Sequence, residues 1–93
     1  MGGGMSDRYQ QRGSIEAAPL EDGVILLDPE TNEFSVLNQT ASAIWARVAQ
    51  PATSEEIATE IAAQFAEVTA AAARSDVEAA LREMVERKLI TRV

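Results

Sequence analysis

The sequence predicts an α+β domain: a three-stranded antiparallel sheet followed by three helices. The three runs with clear strand character lie before Asn38, joined by short turns, while apolar residues after Asn38 recur at helical spacing. Strands and helices are segregated rather than alternating, which argues against a parallel α/β sheet. The 93 residues, 46% of them apolar, suffice for one compact core.

The opening "MGGGMSDRYQQRG" is glycine-rich and polar, with a second methionine at Met5. Its first residues read as a vector remnant, and residues 1–13 are expected to be a disordered segment outside a domain spanning 14–93. "SIEAAPL" (Ser14 to Leu20) is the first strand, with Pro19 best placed on an edge. "VILLD" (Val24 to Asp28) carries apolar side chains on both faces, as a central strand does. "DPETN" then reads as a hairpin turn. Asp28 can bond the turn backbone, Pro29 presets the second position, and Asn32 tolerates a left-handed conformation. "EFSVL" (Glu33 to Leu37) alternates and completes the meander.

At Asn38 the period changes. Asn38 is a favourable N-cap, and Ala41, Ile44, Trp45 and Val48 form one apolar helical face that ends near Gln50, before Pro51. Thr53 and Glu56 have the spacing of a capping box for a second helix lined by Ile57, Ile61 and Phe65. "AEVTAAAAR" is compatible with loop, continued helix or an extra turn. Ser75 and Glu78 repeat the capping-box spacing, so the third helix is expected from Ser75 to Lys88 with Val77, Ala80, Leu81, Met84 and Val85 as its apolar stripe. "LITRV" closes the chain as a short strand or an extended tail.

Composition removes several function classes. There is no histidine or cysteine, so imidazole bases, thiol nucleophiles, disulfides and ordinary zinc sites are excluded. Carboxylate pairs such as Glu55 with Glu56 or Asp76 with Glu78 have the chemistry for acid–base work. Glu56 and Glu78 sit at cap positions, however, and the others fall on solvated faces, so no enzyme is expected. Asp28, Glu30 and Glu33 lack the ligand spacing and turn glycine of a calcium loop; no metal or cofactor is expected. Trp45 shares its face with core positions. The net charge is −7. Its distribution is uneven: −5 over Ser6 to Leu37, −2 over Asn38 to Arg74 and zero over Ser75 to Val93. No basic stripe suited to phosphates is present, so nucleic acid is not an expected partner. No apolar run approaches the roughly 20 residues that span a bilayer, and no secretory segment is evident, so a cytoplasmic location without membrane contact is expected.

Two features remain: the strand Glu33 to Leu37, whose backbone lies on a sheet edge, and a third helix with a broad apolar stripe. Side by side they form a groove. There a peptide can add a strand by main-chain hydrogen bonds and seat alternate side chains against the helix.

"LLDPETNEFSVLNQTASAIW", followed by "T.EEI" (Thr53 to Ile57) and "DV…L..M…KLI" (Asp76 to Ile90), resembles the PqqD-like family. These are the peptide chaperones, or RiPP recognition elements, of ribosomally made, modified peptides. The likeness covers approximately residues 15 to 90. It implies a winged-helix-like fold and a role in which the leader segment of a precursor peptide pairs with the third strand beside the third helix. Carried onto this chain, the site is Glu33, Phe34, Ser35, Val36 and Leu37 on the strand, with Arg74, Val77, Glu78, Leu81 and Met84 on the helix. The resemblance also implies delivery of the leader to a modifying enzyme or leader peptidase encoded nearby. Free-standing members serve pyrroloquinoline quinone synthesis or lasso-peptide synthesis. Ending where the module ends and starting with an acidic strand region, this chain looks closer to the lasso type. Its acidic hairpin suits a leader with basic residues. A winged-helix DNA-binding domain is the alternative, since the same helix order can place a recognition helix in a major groove. Four acids against three bases from Ser75 to Lys88 weigh against it. A plain assembly subunit, pairing its exposed edge with itself, is a third reading.

Overall fold

A computed structural model describes residues 7–65 and 67–93. In chain order the elements are β1 (Arg8–Gln11), β2 (Glu16–Leu20), β3 (Gly23–Asp28), β4 (Glu33–Leu37), α1 (Gln39–Arg47), β5 (Ala52–Thr53), α2 (Ser54–Gln64), α3 (Ala70–Glu86) and β6 (Ile90–Arg92). The fold is α+β, with three helices and two small antiparallel sheets ordered β2-β3-β4 and β5-β1-β6.

The first sheet is the predicted meander. β3 is central, pairing Glu16 with Leu27 through Leu20 with Gly23 on one side, and Val24 with Leu37 through Asp28 with Glu33 on the other. The turn between β3 and β4 closes as its residues dictate. Asp28 Oδ1 accepts from the Glu30 amide at 2.9 Å, its carbonyl accepts from the Asn32 amide at 2.7 Å, and Asn32 adopts φ 60°. Register fixes the two faces. Leu26, Ser35 and Leu37 point to the core and are buried, whereas Ile25, Leu27, Phe34 and Val36 point away from it.

The second sheet corrects the sequence reading, which left residues 1–13 outside the fold. Arg8–Gln11 is a strand bonded to β5 and β6. At the end of the ladder, the Gln11 amide donates to Val48 O at 2.8 Å, the Arg12 amide to Leu89 O at 3.1 Å, and Gln11 Nε2 to Trp45 O at 2.7 Å. Backbone pairing of this kind is almost independent of side-chain identity, so "RYQQ" carries no apolar period to betray it. Residues 1–6 lie outside the described residues. The closing segment is a strand, the first of its two expected forms.

The helices follow their caps. Asn38 Oδ1 accepts from the Ala41 amide at 2.8 Å and starts α1, which ends at Arg47, a turn earlier than expected. Thr53 and Glu56 form the reciprocal capping box of α2, at 3.1 and 2.9 Å. α3 begins at Ala70, not Ser75: Thr69 Oγ1 accepts from the Ala72 amide at 3.1 Å, and the alanines, best of helix formers, make the first turn. Ser75 and Glu78 are therefore interior helix residues rather than caps. Ala73, Val77, Leu81 and Met84 of α3 meet Ile44, Trp45 and Val48 from α1 and its C-cap, Ile57 and Ile61 of α2, Leu26 of β3, and Leu89 and Ile90 in one core. Among the described residues no buried side-chain nitrogen or oxygen lacks a hydrogen-bond partner. No described helix is long and apolar enough to cross a membrane.

Candidate functional site

β4 and β2 are the two edges of the meander. Only one is fully open. Pro19 removes a donor from β2, a common way to blunt an edge, while β4 contains no proline. The register also shows which β4 groups are free. A two-residue turn closes on the hydrogen-bonded pair Leu20 and Gly23, so Gly23, Ile25 and Leu27 direct their backbone groups to β2. Val24, Leu26 and Asp28 then serve Leu37, Ser35 and Glu33. Phe34 and Val36 are left with N–H and C=O groups directed off the sheet.

Along the core side of that edge runs a trough between β4 and α3, built of three adjoining hollows. The first is lined by Asp28, Glu33, Phe34, Ser35, Arg87 and Leu89. The middle one takes in Val36, Leu37, Ala41, Ala80, Glu83 and Met84, and the last reaches Asn38, Ile44 and Asp76. The middle hollow measures about 220 Å³. The flanking hollows measure about 350 and 310 Å³; small-molecule sites are largely enclosed, whereas these hollows lie open in a row along a strand edge, a shape that suits the side chains of an extended chain better than a cofactor. The trough's floor is apolar, from Leu37, Ala80, Met84 and Leu89. Its walls carry the acids Asp28, Glu33, Asp76 and Glu83 and the single cation Arg87. Arg87 bridges the trough, with Nη2 at 2.9 Å from Glu83 Oε2 and Nη1 at 3.5 Å from Ser35 Oγ. Both partners of the ion pair are more than half exposed, so it is weakly held and free to exchange.

The residues singled out in the sequence divide accordingly. Glu33, Phe34, Ser35, Val36 and Leu37 line the trough beside Met84. Val77 and Leu81 are wholly in the core. Arg74 and Glu78 are exposed on the other flank of α3, where Glu78 borders a separate hollow with Tyr9, Ser54 and Arg92. Of the helix residues expected at the site only Met84 borders β4: the flank facing that strand carries Ala80, Glu83, Met84 and Arg87, which lie on one side at 3.6 residues per turn, and Asp76 lies farther along it beside α1. Apolar periodicity locates the core face of a helix but does not say which flank lies beside a given strand. Ala41 and Leu89 were missed for a related reason, since each joins the trough only through tertiary packing.

Among the described residues no cluster of three acids, histidines or cysteines could hold a metal ion. One carboxylate is perturbed. The Thr53 backbone N–H, against an opposing desolvation and with help from the Thr53 hydroxyl and the charges of Arg8 and Arg47, holds Glu56 below its ordinary value of 4.5, in keeping with its capping role.

The family model described as coenzyme PQQ synthesis protein D (PqqD) matches residues 23–90. Two solved structures are similar over most of the chain. One is lasso peptide synthetase B1 complexed with the leader peptide, 25% identical, with a TM-score of 0.77 over 89% of this chain and 96% of that one. The other is TbiB1 in complex with the TbiA(beta) leader peptide, 25% identical, with a TM-score of 0.77 over 87% and 93%. No curated protein matches the chain.

Proposed function

The chain belongs to the PqqD family, and on that premise we propose that it binds the leader segment of a ribosomally made precursor peptide by strand addition to β4, and delivers it to a modifying enzyme or leader peptidase. The observation that carries this reading is the open β4 edge alongside a trough of side-chain dimensions. An added strand gains up to four backbone hydrogen bonds from Phe34 and Val36, and alternate guest side chains drop toward Leu37, Ala80, Met84 and Leu89. The two similar structures, each described as holding a leader peptide, support the same ligand class. A delivery module needs no catalytic group, because it acts by raising the local concentration of substrate at an enzyme. The acidic walls favour a guest with basic residues, with an acidic residue accommodated beside Arg87, which lines both the Asp28–Glu33 hollow and the middle one. They give no support to a DNA-binding reading, which needs cations along α3.

The test is titration of a labelled candidate leader peptide. Val36→Pro removes one outward donor while β4 keeps its ladder to β3. A lost backbone bond that strands a guest carbonyl costs about 1–3 kcal/mol, so binding should weaken roughly 5- to 150-fold. Undiminished affinity in the folded variant would overturn the reading.

A further inference from the structure

β6 is the outer strand of the second sheet, and its register against β1 shows which of its groups are free. The Val93 amide donates to Arg8 O at 2.8 Å and the Arg12 amide to Leu89 O at 3.1 Å, with Gln10 opposite Thr91 between them. These are the alternate, hydrogen-bonded pairs, so Ile90 and Arg92 direct their N–H and C=O groups away from the sheet. A second open edge results.

Beside it lies a hollow lined by Arg12, Val85, Lys88, Ile90, Thr91 and Arg92. Three of these six are cations and none is an acid, in a chain whose net charge is −7. The cluster is assembled from the two ends of the chain, with Arg12 Nη1 donating to Lys88 O at 3.1 Å, so no basic run marks it in the sequence. Neither Arg12 nor Lys88 enters an ion pair among the described residues, and Arg92 reaches Asp7 only at 3.8 Å with both side chains more than half exposed. A helix C-terminus favours cations, which accounts for Arg12 and Lys88. It does not account for Arg92 or for the open edge.

The chemistry selects the occupant. Free N–H and C=O groups are matched by another extended backbone, whereas the phosphates of a nucleic acid or an anionic membrane offer acceptors alone, and either surface is repelled by the net charge of −7. A second copy paired edge to edge would set Lys88 and Arg92 against like charges. An extended acidic peptide satisfies both the backbone and the cations.

Position selects its source. Arg87 and Leu89 line the trough beside β4, while Lys88 and Ile90, alternating with them along the chain, line this hollow. The two sites flank the C-terminal end of α3, since Val85 stands about 200° around the helix from Arg87. That end is about 10–12 Å across, a span that about three or four extended residues cover. We propose that the precursor peptide engages both edges, one strand on β4 and, past the Arg87 end of the trough, an acidic segment laid along β6 over Arg12, Lys88 and Arg92. This deepens the leader-binding reading and rests on it. Joining the two contacts in one peptide makes the second intramolecular, so modest ion pairs at β6 raise the overall affinity.

The experiment titrates the whole chain with a labelled candidate leader peptide and with the same peptide after the Asp and Glu residues flanking its docked strand are changed to Asn and Gln. Neutralising the flank should weaken binding to the wild-type chain about ten-fold and reduce its salt dependence. Lys88→Asn with Arg92→Gln, at exposed positions and with an asparagine that tolerates the left-handed conformation of residue 88, should bind both peptides equally. Amide exchange read on the same samples should show Ile90 and Arg92 protected by the acidic peptide alone, and Phe34 and Val36 protected by both. If the two peptides bind the wild-type chain equally, or the Ile90 and Arg92 amides keep their free rate, the proposal is overturned while protection at Phe34 and Val36 leaves the β4 reading standing. A bound peptide that protects neither Phe34 nor Val36, or no binding at all, overturns both. Protection of Ile90 and Arg92 that appears without peptide as the protein is concentrated, or only when the partner enzyme is added, would put a second copy or that enzyme on the β6 edge and overturn the proposal as well.

Discussion

Gly23→Ala is a sharp test of how β4 is held. Gly23 begins β3 directly after the Glu21–Asp22 turn, and its backbone does not adopt positive φ. Glycine is needed there for space. A Cβ built at this position runs into the carbonyl oxygen of Leu37 and lies 3.1 Å from its carbonyl carbon and 3.2 Å from Ser42 Oγ. Neither obstacle yields easily: the carbonyl belongs to backbone, and it accepts the Ser42 hydroxyl at 3.2 Å. The end of β4 and the start of α1 must therefore shift together. Overpacking of this kind costs about 1–3 kcal/mol. In a domain of this size that lowers Tm by roughly 4–24 °C. Because Leu37 also floors the trough, leader affinity should fall with stability. Thermal and urea unfolding measure the first effect and peptide titration the second. Gly13→Ala is the control, since nothing lies within 4 Å of a Cβ there; it should be neutral or stabilising by up to about 1 kcal/mol. If Gly23→Ala unfolds at the wild-type temperature with an unchanged urea slope, the argument from space is refuted.

Other consequences are simpler to check. Glu56 has a depressed folded pKa, so its contribution is present above the ordinary value of 4.5 and is lost as pH falls through the lower folded value. The Tm difference between wild type and Glu56→Gln, which keeps the bond but not the charge, should be largest near neutral pH and vanish in strong acid. Lys88 holds φ 62° at the end of α3, where its amide donates to Val85 O and that of Leu89 to Met84 O, closing a Schellman turn. Lys88→Gly should accordingly be neutral or stabilising by up to about 1 kcal/mol in urea melts, whereas a loss above that range would show that its side chain matters. Ile57, fully buried, should cost about 2–5 kcal/mol when truncated to alanine, read by the same melts; a smaller loss would mean that the core closes around the gap.

What was legible in the sequence was what local chemistry determines. Asp28, Pro29 and Asn32 announced the hairpin, Asn38 the start of α1, and Thr53 with Glu56 the start of α2, because each acts through backbone groups a few residues away. Alternation in "EFSVL" gave the correct faces of β4, and its position at the end of a meander gave the open edge. Two things were not legible. β1 is held by bonds to partners more than 30 residues distant, and its side chains carry no periodic mark. The start and phase of α3 were missed because Ser75 and Glu78 mimic a cap while Thr69 supplies it. The flank of α3 beside β4 is set by how α1 and α2 fill the other side, which no property of residues 74 to 87 alone reveals.

The most direct measurement is amide hydrogen exchange at Phe34 and Val36 with and without the leader peptide. Free, these two amides should exchange quickly while Ser35 and Leu37, bonded to β3, exchange slowly. Saturating leader should bring the Phe34 and Val36 amides to comparable protection. If they continue to exchange at the free rate while the leader is demonstrably bound, β4 is not the docking strand.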